Sequence, residues 1–174
     1  MHRPIHSVIL RARSCSSSES SAFFFSATYK NTTMSSDIAS KIASLKSCWG
    51  TPCKLFKKLA KRFKFDKFDP CPHPLPDWDG LEIDWAERTF VNPPYEELSD
   101  WVEKAYKEYR KGKLIVMLAP ARMHTTYFQK YVLPHATVEF IPGRIKFVDL
   151  TNNGKIDKPC GFGCCLIIWD GLKD

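Results

Sequence analysis

The run Leu114-Ile-Val-Met-Leu-Ala119 is six apolar residues with no polar interruption. A strand with one wet face alternates apolar and polar, so an unbroken run marks a strand covered on both faces. It follows a strong helical stripe. Leu98, Trp101, Val102, Ala105, Tyr106 and Tyr109 recur at helical spacing over Glu96–Lys111, and Gly112 is suited to the C-terminal cap. Strand, helix and doubly buried strand in succession predict an α/β fold with a mostly parallel sheet and helices on both faces.

Ligands in such sheets bind beyond the carboxyl ends of the strands. Thr89-Phe90-Val91 is a short strand that runs into Asn92-Pro93-Pro94-Tyr95. Neither proline has an N–H for a ladder or a helix, so the chain must stop and turn there. The result is a rigid platform with one amide and one aromatic face, suited to a flat hydrogen-bonding group. Asp69, Asn92 and the segment Ala119-Pro120-Ala121-Arg122 each end an expected strand, which brings polar groups from three segments to one edge.

Other elements follow from similar signals. Thr51-Pro52 is expected to open a helix, with Thr51 as N-cap and Pro52 at the first helical position. Leu55, Phe56, Leu59, Ala60 and Phe63 form its apolar side, opposite Lys57, Lys58, Lys61, Arg62 and Lys64. Those lysines are either a solvated face or contacts to phosphates. Strands are expected at Phe65–Asp69, Thr137–Ile141, Ile145–Val148 and Cys164–Trp169, a turn at Leu81–Trp85, and a helix over 125–133.

The chain of 174 residues suits one domain and a tail. Residues 1–45 are the tail. Ser14–Ser21 is nearly all serine, Arg is frequent, and Glu19 is the only acid before Asp37. A targeting segment, a disordered tail and sequence upstream of a start at Met34 all fit. The folded domain is expected at 46–174. Of the formal charge of +7, residues 1–33 carry +3, which leaves the remainder mildly basic and weakly favours a polyanionic partner. Seven cysteines, an odd number without a secretory signal, suggest reduced thiols and an intracellular setting. Cys71, His73, Cys160, Cys164 and Cys165 lack the usual spacing of a structural zinc site, so no metal is expected. No stretch has the ~20 apolar residues of a membrane span.

An ordered set of motifs now stands out. It comprises Trp49-Gly-Thr-Pro52, Phe68-Asp-Pro-Cys-Pro72, Asp79-Gly-Leu81, Asp84-Trp85, Asn92-Pro-Pro-Tyr95, Trp101 with Lys104-Ala105, Leu118-Ala-Pro-Ala-Arg122, Gly143-Arg-Ile-Lys-Phe147 and the closing apolar strand. The set resembles the phage-type DNA adenine-N6 methyltransferases over roughly residues 48–169. The resemblance implies a reduced Rossmann-like fold and transfer of a methyl group from S-adenosylmethionine. It puts Asn92, Pro93, Pro94 and Tyr95 at the target amine and Thr51, Pro52 and Asp69 at the cofactor. The chain departs from many such enzymes in having no Gly from 51 to 79, where a glycine-rich cofactor loop would lie. RNA adenine or protein glutamine methyltransferases of the same fold, and an inactive nucleic-acid-binding relative, are the alternatives.

Adenine N6 is a poor nucleophile because its lone pair is delocalised into the ring. Acceptors at the Asn92 side-chain oxygen and the Pro93 carbonyl would orient it toward the methyl donor. In a duplex the base must flip out, unless the substrate is single-stranded, and Tyr95 is the expected stacking partner. Arg122, His124, Arg144 and Lys146 are the candidates for DNA contact. A chain this short leaves little room for a separate recognition domain, so specificity is either low or supplied by a dimer.

Overall fold

A computed structural model describes residues 49–72, 76–149 and 159–173. The expectations for the 1–45 tail, for Met34 and for His73 lie outside the described residues. Two strands pair first: β1 (Trp49–Gly50) lies antiparallel to β5 (Val148–Asp149). The main sheet contains β2 (Arg88–Val91), β3 (Leu114–Pro120), β4 (Thr137–Phe140) and β6 (Cys164–Asp170), in the order β2-β3-β6-β4.

β2 and β3 are parallel, with Val91 opposite Met117. β6 is antiparallel to both β3 and β4. The expectation of a mostly parallel sheet is therefore corrected: one of the three pairings in this sheet is parallel. The cause is the position of β6. It is central and covered on both faces, so it carries the unbroken apolar run of a parallel core strand while running the other way.

Alternate residues of the central strands feed two cores. Val91, Ile115, Met117, Ala119, Cys165, Ile167 and Trp169 face one side. There they meet Trp101, Val102 and Ala105 of α2 (Leu98–Tyr109) and Phe128 and Val132 of a π-helical turn (Phe128–Val132). Phe90, Leu114, Val116, Leu118, Cys164, Leu166 and Ile168 face the other side, against Leu59 of α1 (Cys53–Phe63) and against Ile145 and Phe147. The strand period of two thus delivers helices to both faces, as expected.

Local signals hold with shifts at the ends. Pro52 stands just before α1 and caps it with its carbonyl, accepting from Phe56 N–H at 3.0 Å, while no side chain caps that end. The expected Thr51 N-cap is not formed. Gly112 follows α2 at φ +83°, a left-handed position open to glycine, and donates to Tyr109 O at 2.8 Å. Phe65–Asp69 is not a regular strand. Asp66 N–H donates to Arg88 O, but the Asp66 carboxylate, not a backbone carbonyl, accepts from Arg88 N–H, both at 2.8 Å. The side chain intercepts the ladder after one rung. Of Ile145–Val148, only Val148 enters a strand.

Candidate active site

β2 delivers Asn92 to its carboxyl end. Pro93 is buried and Pro94 half-buried, and α2 starts only at Leu98. Tyr95 folds back over the turn, and its hydroxyl donates to Asn92 Oδ1 at 3.1 Å. Its ring packs edge-on against Phe147 and Phe162, at 6.2 and 5.7 Å between centroids. Burial pushes the Tyr95 phenol far above its usual range, helped by Cys164, Cys160 and Cys165 nearby. It stays protonated and remains a donor.

The ends of the other strands share this rim. Pro120, the last residue of β3, lies opposite Cys164, the first of β6. Ala121 N–H donates to Gly163 O and Ile141 N–H to Cys164 O, each at 3.0 Å. Hence the loops after β2, β3 and β4 and the loop before β6 converge, which realises the expected convergence for two of its three segments, Asn92 and Ala119–Arg122, whereas Asp69 does not end a strand. Arg122 and His124 lie exposed just beyond β3, where the Arg122 carbonyl accepts from both Thr125 N–H and its hydroxyl, at 3.2 and 2.8 Å. Arg144 and Lys146 are exposed because they alternate with buried Ile145 and Phe147. Phe147 touches Tyr95, which brings Lys146 close to the Asn92 turn. Among the described residues no carboxylate pairs with Arg122, Arg144 or Lys146.

Thr51 and Pro52 follow β1 directly. Because Gly50 pairs with Val148, they lie beside the segment that carries Phe147. The Thr-Pro step and the Asn-Pro-Pro-Tyr turn therefore both approach Phe147 from separate segments of the chain.

Asp69 opens the proline-rich loop. Its Oδ1 accepts from Cys71 N–H at 2.9 Å. Among the described residues, no hydrogen bond reaches its other oxygen. Burial pushes its carboxyl up to about 6, against the lowering by the Cys71 N–H. A half-buried acceptor of this kind, with an oxygen to spare, fits a ligand hydroxyl. The loop is clamped at Gly80, where a Cβ would lie 1.9 Å from Pro70 O and 2.8 Å from the Trp101 ring. The Gly80 carbonyl also accepts from Trp85 Nε1 at 2.7 Å. Beside Asp69, the ring of Phe68 lies nearly parallel to Trp78, 6.4 Å between centroids and 13° between planes.

Sequence reasoning missed Glu108, whose side chain is fully buried. It takes Lys104 at 3.0 Å, Lys111 at 2.8 Å and Lys113 at 2.5 Å, plus Trp85 N–H at 3.2 Å. Burial alone would raise its carboxyl; the three ammonium groups and the N–H overcome that and lower it to about 2. The signal was present, since Glu108 stands three residues after Ala105 and seven after Trp101, inside the apolar stripe of α2. Trp101 Nε1 and Tyr127 Oη are buried and have no hydrogen-bond partner among the described residues. Among the described residues Cys160, Cys164 and Cys165 are thiols outside any disulfide. Among the described residues no group of three or more His, Cys, Asp or Glu is placed to hold a metal, and no helix is long and apolar enough to cross a membrane.

A hydrogen-bonding amide on a proline turn thus stands at a strand-end rim beside Arg122 and His124, with exposed Arg144 and Lys146 flanking buried Ile145 and Phe147. The chain belongs to the DNA N-6-adenine-methyltransferase (Dam) family, whose model matches residues 39–174. It is a DNA methyltransferase that acts at adenine N6 with S-adenosylmethionine as methyl donor. No curated protein and no solved structure matches the chain.

Proposed function

We propose that Asn92 Oδ1 and the Pro93 carbonyl accept the two N6–H bonds of the target adenine. The Tyr95 hydroxyl donates to Asn92 Oδ1, an amide oxygen that can accept more than one hydrogen bond. The carboxamide is thereby held in one orientation, and the amine meets two fixed acceptors. These aim the nitrogen lone pair and stabilise positive charge as it develops there. Asn92 is neutral, so it orients the amine and does not act as a base; the N6 proton leaves to water. S-adenosylmethionine supplies an electrophilic methyl group on a sulfonium. Asp69 accepts from its hydroxyl groups, and Thr51 and Pro52 flank its methionine end.

The domain is a reduced Rossmann-like fold over 46–174, with residues 1–45 outside it. The target base is taken out of a duplex stack or read in single-stranded DNA. Tyr95 walls the base pocket, and Arg122, His124, Arg144 and Lys146 contact the flanking DNA. The observation that carries this reading is the Tyr95–Asn92 hydrogen bond at a strand-end rim.

The test is incubation with labelled S-adenosylmethionine and unmethylated DNA, duplex and single-stranded in parallel, followed by nucleoside mass spectrometry. N6-methyladenine is the expected product. Label in RNA or in glutamine alone would overturn the substrate assignment.

A further inference from the structure

Resting on the DNA methyltransferase reading, we propose that Lys54, Lys57, Lys58 and Lys61 of α1 form a docking ridge for the DNA phosphate backbone beside the target base. Their spacing of i, i+3, i+4 and i+7 puts them on one side of the helix, and all four are exposed. The helix contains no Asp or Glu. Among the described residues none of the four lysines makes an ion pair, whereas neighbouring Arg62 is held by both oxygens of Glu139, at 2.6 and 2.5 Å.

The ridge also has a direction. The start of α1 follows β1, which pairs with Val148, next to Phe147 and so to Tyr95. At the other end, the Phe63 carbonyl accepts from Arg88 Nη1 at 3.3 Å, and Arg88 begins β2, at the sheet edge opposite Asn92. The ridge therefore leads away from the candidate active site. Lys54 to Lys61 spans ~10 Å along the helix axis at 1.5 Å per residue. One DNA strand presents about three phosphates over that length.

A lipid surface fits less well. An interfacial helix must insert its apolar side. Here Leu55, Phe56, Leu59 and Phe63 pack against the sheet, and Phe56 lies 5.3 Å from the Phe90 ring. The outward side of the helix offers the lysine ammonium groups and no large apolar side chain.

The test uses the full chain and a short unmethylated duplex, with binding followed by fluorescence anisotropy from 50 to 200 mM salt. Each phosphate contact contributes ~0.9 to the slope of log affinity against log salt. Losing about three contacts, the quadruple variant K54Q/K57Q/K58Q/K61Q should reduce the magnitude of that slope by ~2.7, so that the fourfold rise in salt costs it ~40-fold less affinity than wild type. The matching Lys→Arg quadruple should keep the wild-type slope. K107Q/K130Q, altering α2 and the π-helical turn on the opposite face, should keep it too.

An unchanged slope in the glutamine variant would overturn the proposal, and so would an equal loss per charge in K107Q/K130Q. Vesicles of phosphatidylserine that bind wild type and lose the variant, with the DNA slope unaltered, would assign the ridge to membranes instead. Anisotropy does not require turnover. A wild type that binds duplex through the ridge but methylates no DNA would count against the activity and leave the ridge supported.

Discussion

The Tyr95 hydroxyl donates to Asn92 Oδ1 at 3.1 Å, so the first and last residues of the Asn-Pro-Pro-Tyr turn close it on itself. Two prolines stiffen the path between them, and the phenol fixes the amide. In the proposed mechanism Tyr95 acts on the amine through Asn92.

Tyr95→Phe tests that role. The ring keeps its packing against Phe147 and Phe162, while the amide regains rotational freedom. Single-turnover methylation should slow roughly tenfold, the effect of losing ~1.4 kcal/mol of orientation. Affinity for S-adenosylmethionine should not change. Equal rates in the variant and wild type would remove Tyr95 from the mechanism.

Asn92→Ala removes one of the two acceptors outright. By analogy with the loss of one preorganised hydrogen-bonding partner elsewhere, turnover should drop about 10²–10³-fold. Calorimetry should still detect cofactor binding. Turnover within a few-fold of wild type would mean that another group holds the amine.

Much of this site was legible in the sequence because it rests on residues with few options. Asn92-Pro-Pro-Tyr must end a strand, and Leu114–Ala119 must be covered twice; both are found so. The sheet's direction was not legible. Cys164–Trp169 has the same apolar run whether it lies parallel or antiparallel to β3, and only the register reveals the difference. Phe65–Asp69 failed as a strand because the Asp66 carboxylate takes the place of a backbone acceptor, a choice that propensity does not register. The Tyr95–Asn92 bond was also invisible. Spacing puts the two three residues apart, but only the turn brings them into contact.

Gly80→Ala probes the clamp on the proline-rich loop. A Cβ 1.9 Å from a backbone carbonyl cannot be accommodated by rotamer change, so Pro70 or the Gly80 backbone must move. The cost should be about 1–3 kcal/mol, read as a lower midpoint in urea, with weaker cofactor binding because Asp69 precedes Pro70. Unaltered stability and binding together would show that the loop yields freely.

Asp69→Asn separates stability from function. The folded carboxyl at about 6 lies above its unfolded value near 3.8. Below the lower value both states are protonated and the burial costs nothing. As pH rises between ~4 and ~6 the unfolded state loses its proton first, so this group lowers stability, by up to ~3 kcal/mol above that window. The asparagine variant should therefore melt higher than wild type at pH 7.5, by less than the full figure because the residue is partly solvated. It should also bind S-adenosylmethionine more weakly. A variant that melts lower at pH 7.5 would contradict the assigned burial.

Glu108→Gln has the opposite sign. Its carboxyl is lowered from 4.5 to about 2, so its stabilisation is fully present above pH ~4.5 and lost as pH falls toward 2. Replacing it leaves Lys104 and Lys113, both largely buried, facing an amide with half the acceptor capacity. Removing one partner from such a cluster costs about 3–5 kcal/mol. Denaturant melts from pH 7 to 2 should show wild type losing stability steeply at the acid end, and the variant starting lower with a flatter profile. Parallel profiles would mean that the three lysines draw their stabilisation from elsewhere than this carboxylate.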